Sequence, residues 1–221
     1  MIRALLFTML ATPLHAQTIV GADDRDWIAV GRVNIGGFDT AQVCTGSLVA
    51  PDLVLTAAHC VAAYHDAPER AAEVIFVAGW NRGRHAAAAT AKTLIFAPGY
   101  RPGPLDRDSI AQDVALIRLS QPLDIPPLAT APLPAPGARL GFAGYSRARP
   151  HALTLATDCA SASAAPDVVY LTCPAVSGNS GGPILTGPPG ARAIVGVVVA
   201  RGAEGAYGAA LAGWVSSEIA R

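Results

Sequence analysis

Apolar residues in this chain come in short bursts cut by Gly, Pro or charged positions, and a helical period is confined to its end. The bursts over 27–33, 44–49, 53–56, 74–78, 92–96 and 115–119 have strand length and are rich in Val, Ile, Leu and Phe. A proline-rich stretch, 121–137, then breaks the rhythm. A second set follows at 139–144, 154–157, 168–172, 184–185, 193–200 and 206–210. Two lobes of about six strands are predicted, and antiparallel strands at this density close into barrels. The fold class is therefore all-β. In 209–221, Leu211, Trp214, Val215 and Ile219 recur at spacings that suit one face of a short C-terminal helix. The small-residue run 86–89 lies between strand candidates. No repeat is visible, and 121–137 is expected to cross between the lobes on the surface.

Composition narrows the function. A net charge of zero with 14% charged residues offers no basic or acidic field, so nucleic acid is not an expected partner. Eighteen prolines and 22 glycines are spread along the chain, which reads as frequent turns and not as a disordered tract. At the amino end, Met1-Ile2-Arg3 precedes an apolar stretch from Ala4 to Leu14, and the small residue Ala16 follows. This is the outline of a secretory signal peptide over residues 1–16, cleaved after Ala16. A membrane anchor would need roughly 20 apolar residues, and the chain turns polar by Gln17. The expected product is exported, periplasmic or extracellular, with no membrane contact after signal removal, and a monomer.

Four cysteines, Cys44, Cys60, Cys159 and Cys173, suit an oxidising compartment and allow three pairings. A zinc site at Cys44, His59 and Cys60 competes with that reading, but close ligand pairs such as CxxC or HxxxH are missing from the sequence. No metal and no cofactor is assigned.

The most specific chemistry lies in Ser177-Gly178-Asn179-Ser180-Gly181-Gly182-Pro183. A serine among glycines has no bulk beside its hydroxyl, and adjoining N–H groups can face an oxygen that bears negative charge. The string also satisfies the GxSxG turn of α/β-hydrolases, whose histidine follows the serine. Here all five histidines, His15, His59, His65, His85 and His151, lie upstream of Ser180, which rules that reading out. Instead Thr56-Ala57-Ala58-His59-Cys60 ends one apolar run and Asp113-Val114-Ala115-Leu116-Ile117-Arg118-Leu119 opens another.

This His, Asp, Ser order with these local strings resembles the trypsin/chymotrypsin-like serine proteases, and within them the bacterial branch that includes the glutamyl endopeptidases. The resemblance implies two six-stranded antiparallel β-barrels with a short terminal helix. The corresponding division is an N-terminal lobe over 17–123, a connector over 124–137 and a C-terminal lobe over 138–221. It implies that His59 is the base, Asp113 the group that orients it, and Ser180 the nucleophile, in a cleft between lobes. Asp106 and Asp108 are weaker candidates because neither opens the Val-Ala-Leu-Ile run. The N–H groups of Gly178 and Ser180 would form the oxyanion hole. Cys44 would pair with Cys60 beside His59, and Cys159 with Cys173. The expected activity is peptide-bond hydrolysis of polypeptide substrates through an acyl-enzyme. An esterase or amidase with the same triad, and a silent binding protein on the protease fold, are the alternatives.

Two features depart from the family. Ile19-Val20-Gly21 resembles the new amino terminus of trypsin-like zymogens, yet the residue before the nucleophile is Asn179, a neutral amide that cannot supply the usual buried ion pair. Leader removal, with or without trimming of Gln17-Thr18, is expected to suffice for maturation. The position that selects Lys or Arg in trypsin-like enzymes holds Pro174, and strand 194–200 lacks the histidine of glutamate-selective relatives. Pro174, Ala175, Val199, Ala200 and Gly202 are expected to line a small apolar pocket, with Arg201 and Glu204 nearby in sequence.

Overall fold

The computed structural model describes residues 17–21, 24–37, 43–104 and 106–221; the leader segment expected over 1–16 lies outside them. Six strands close a first antiparallel barrel: β2 (Val30–Ile35), β3 (Val43–Ala50), β4 (Leu53–Thr56), β5 (Val74–Ala78), β6 (Ala87–Phe96) and β7 (Ala115–Leu119), in the spatial order β2-β3-β4-β7-β6-β5. Six more build the second: β9 (Arg139–Ser146), β10 (Arg149–Ala165), β11 (Val168–Leu171), β12 (Pro183–Thr186), β13 (Ala193–Arg201) and β14 (Ala206–Ala210). This barrel closes because β10 pairs with both β9 and β11. Two short strands are added to it, β1 (Thr18–Ile19) on β10 and β8 (Ala129–Thr130), parallel, on β13. The expected pair of six-stranded barrels is thus present.

Side-chain alternation explains why one strand serves two cores. In β4, Val54 points into the first barrel while Leu53 and Leu55 face the other way, and in β7 Ala115, Ile117 and Leu119 alternate with Leu116. The outward residues join Tyr145, Ile194, Val197 and Val199 of the second barrel in a core shared by both. The strands are therefore apolar on both faces, which is why they read as continuous runs. A third cluster, with Leu140, Phe142, Leu171, Ile184 and Val198, fills the second barrel.

Several elements exceed or escape the sequence pattern. β6 begins at Ala87, so most of the small-residue run 86–89 is strand, and β10 runs from Arg149 to Ala165. The helix α1 (Arg107–Gln112) starts on Asp106, whose carboxylate accepts from Ser109 N–H at 2.8 Å while Ser109 Oγ accepts from Asp106 N–H at 2.7 Å. The terminal helix α2 (Gly213–Ile219) is present, and Trp214, Val215 and Ile219 pack on the shared core. It also reaches the first barrel, where Arg118 of β7 binds Asp52 at 3.0 Å and lies 3.8 Å from Glu218. Among the described residues no helix is long and apolar enough to cross a membrane.

Candidate active site

β4 ends at Thr56, and the chain turns through a 3-10 segment, Ala58–Cys60, that carries His59. Asp113 sits at the end of α1, immediately before β7. Because β4 and β7 are neighbours, with Thr56 opposite Ala115, these two segments leave the same end of the barrel side by side. The Asp113 carboxylate is fully buried and both its oxygens are used. Oδ1 accepts the His59 backbone N–H at 2.7 Å, and Oδ2 lies 2.6 Å from His59 Nδ1. A carboxylate can only accept, so Nδ1 carries the proton and Nε2 keeps its lone pair. Nε2 lies 3.8 Å from Cys60 Sγ.

Both disulfides have formed, Cys44–Cys60 and Cys159–Cys173. The ligand atoms of Cys44, His59 and Cys60 converge within 4.8 Å, but both sulfurs are consumed by the disulfide and offer no thiolate to a metal. Tyr100 stands beside this pair. Burial and the charge of Asp113 push its phenol up to about 12, so it remains a neutral wall at physiological pH. Phe96 stacks on Tyr100 with ring centres 5.4 Å apart, and His65 meets the Phe96 ring edge-on at 4.8 Å.

The segment carrying Ser180 lies between β11 and β12 and is fastened to the first barrel by Thr45 of β3. Thr45 N–H donates to the Ser180 carbonyl at 2.8 Å, and Thr45 Oγ1 donates to the Gly178 carbonyl at 2.9 Å. That same oxygen accepts Tyr145 N–H at 2.9 Å, while the Thr45 carbonyl accepts Thr56 Oγ1 at 2.8 Å. One buried threonine thus ties β3, β4, β9 and the serine segment together. Gly181 has φ +78°, and a Cβ there would lie 2.2 Å from the Thr45 carbonyl and from Thr56 Oγ1. Only glycine lets the serine segment come this close to the turn that bears His59. Gly178 has φ +104° and is packed against the backbone of Tyr145, Ser146 and Arg147. The serine segment is thereby held against β3 and the end of β4, beside the turn that carries His59.

The residues expected to line a substrate pocket lie in different surroundings. Ala175 N–H approaches the Gly205 carbonyl at 3.4 Å, and Gly202 N–H binds that carbonyl at 2.9 Å. Ala200 lines a cavity of about 300 Å³ together with Asp106, Ile110, Arg201 and Tyr207. Pro174 is exposed, and Val199 is 2% exposed within the shared core. A Cβ on Gly202 would touch Tyr170 and Tyr207, whose rings are 5.2 Å apart. These two tyrosines escaped the sequence reading because they sit in an ordinary strand pattern; Thr45 escaped it for the same reason.

Two closed six-stranded antiparallel barrels with a short terminal helix make up the chymotrypsin-like serine protease fold, and here a buried carboxylate grips a part-exposed imidazole. A profile of the trypsin-like peptidase domain matches residues 44–197, well over half of the chain, and the chain belongs to that family. A solved structure described as "Structure of Glu endopeptidase in complex with MPD" has the same fold, with a TM-score of 0.72 and 19% sequence identity. The likeness covers 93% of this chain and 97% of that one. No match was found among curated proteins.

Proposed function

We propose that the protein is an exported serine endopeptidase that hydrolyses polypeptides through an acyl-enzyme. Ser180 attacks the scissile carbonyl, His59 Nε2 takes the hydroxyl proton and returns it to the leaving amine, and water then releases the acid. Asp113 holds the imidazole tautomer and stabilises the imidazolium. The observation that carries this reading is the double grip of the buried Asp113 carboxylate on His59, which fixes Nε2 as the basic nitrogen. The oxyanion hole is assigned to the N–H groups of Gly178 and Ser180; among the described residues neither donates to a protein acceptor.

Two disulfides fit an oxidising compartment, periplasmic or extracellular, reached by cleavage after Ala16. The lobe boundaries proposed are 17–123 and 138–221, joined by 124–137. The pocket assigned to Pro174, Ala175, Val199, Ala200 and Gly202 would take a small apolar side chain before the scissile bond. Digestion of a proteome-derived peptide library with the protein and its Ser180→Ala variant tests both points. Cleavage confined to the Ser180 form, with small apolar residues enriched at the cut, is the expected result. Equal cleavage by both forms would reject the mechanism, and enrichment of Lys, Arg or Glu would reject the pocket.

A further inference from the structure

Asn179, the residue before the proposed nucleophile, is fully buried, and its partners fix which end of its amide is which. Val176 N–H can only donate and lies 2.9 Å from Oδ1; the Tyr145 carbonyl can only accept and lies 2.8 Å from Nδ2. Gln17 reaches this group from the other end of the chain. Its Nε2 stands 3.0 Å from Asn179 Oδ1 and 3.0 Å from the Pro174 carbonyl. Two acceptors require the nitrogen of the Gln17 amide to face them, so Oε1 turns to the Thr154 hydroxyl at 2.7 Å. That hydroxyl is also 2.7 Å from the Gly144 carbonyl and shares its proton between the two acceptors. The backbone around this contact is set by β1, where Thr18 and Ile19 pair with Leu155 and Thr154.

The geometry points to Gln17 as a positioning residue: its side-chain amide, braced by Thr154, clasps Pro174 and Asn179 and so holds the segment that aims the Gly178 and Ser180 N–H groups. This rests on the reading of that segment as an oxyanion hole. The clasp is neutral. It replaces a buried ion pair with amide hydrogen bonds whose strength does not depend on a titrating amine. It also uses a side chain, so residues ahead of Gln17 leave it intact, whereas a cut before Ile19 or trimming of Gln17-Thr18 removes it.

Gln17→Glu and Gln17→Met have nearly the same length as the native residue and separate shape from donation. A glutamate presents an acceptor to two acceptors; a methionine fills the space without a donor. Hydrogen exchange over 174–182 is read first in a Ser180→Ala background, where turnover plays no part. Both variants are expected to exchange about tenfold faster there, with the rest of the second barrel unchanged. The Glu variant, corrected for intrinsic rate, recovers protection as the pH falls and its carboxyl gains a donor proton, while the Met variant does not. With Ser180 present, kcat on a peptide should fall about 10- to 100-fold, with KM changed less. A short Gly-Ser extension ahead of Gln17 should leave both measurements unaltered. Native exchange over 174–182 in both variants would overturn the clasp. If the Gln17 protein cleaves no peptide and takes no fluorophosphonate label, the protease reading fails, and exchange still decides the clasp.

Discussion

The two halves of the candidate site are held in different ways. His59 and Asp113 hang from adjacent strands of one barrel, β4 and β7, and His59 adjoins a disulfide to β3. Their placement is the work of short-range backbone pairing and a covalent link. The Ser180 segment joins two strands that are not neighbours and is held by side chains from elsewhere: Thr45 from the first barrel, Gln17 from β1's flank, and its own Asn179 turned inward. The proposed orienting acid and base therefore stand on a rigid frame, while the proposed nucleophile depends on a network of neutral hydrogen bonds. Such a network is worth most when every member is satisfied, and removal of one member exposes the rest.

The largest test of this contrast is Asp113→Asn. The amide fits the cavity but offers one donor and one acceptor to two N–H groups, so the imidazole tautomer is lost. A fall in kcat of about 10⁴-fold with a preserved fold is expected, measured by steady-state turnover and circular dichroism. A fall below tenfold would move the orienting role elsewhere. Next in size is the pair Cys44→Ser with Cys60→Ser against Thr45→Val. Opening the loop of 16 residues should cost about 3 kcal/mol in urea denaturation. Thr45→Val keeps the shape but leaves the Gly178 carbonyl and Tyr145 N–H without their partner, for about 1–3 kcal/mol. Per unit of stability lost, Thr45→Val should reduce kcat more, because it loosens the nucleophile side. The reverse ranking would reverse the contrast.

The smallest effect is a pH dependence at Tyr100. Its phenol is raised from 10 to about 12 in the folded protein, chiefly by burial and then by Asp113. The raised value means that the stability it contributes is complete below pH 10 and is lost as the pH climbs toward 12, where the unfolded chain has already ionised. Tyr100→Phe should flatten that part of the alkaline decline and leave stability below pH 9 nearly unchanged. Urea midpoints between pH 8 and pH 12 would show it.

Strands β4, β5, β7 and β14 match the sequence pattern residue for residue because each is a short, largely apolar run of strand length. β6 and β10 outran it, since their alanine-rich portions carry little strand propensity and owe their conformation to pairing with neighbours. α1 went unseen because six residues are too few for a helical period; its one local mark was Asp106 with Ser109 three positions on. At the site, His59 and Asp113 stood in distinctive strings, and the structure brings their side chains together. Thr45 and Gln17 stood in none. Their importance is a matter of which carbonyl and which amide end up opposite them, information held by the tertiary contacts alone.

β1 carries one more implication. Thr18 and Ile19 precede the whole first barrel in the chain, yet their partners, Thr154 and Leu155, are made long afterwards. The first barrel can close while this opening segment waits, unmatched, until the strands of the second are in place. The final stitch of folding thus runs from the earliest residues to the later barrel, and the chain stays unfinished at its serine until that stitch is made.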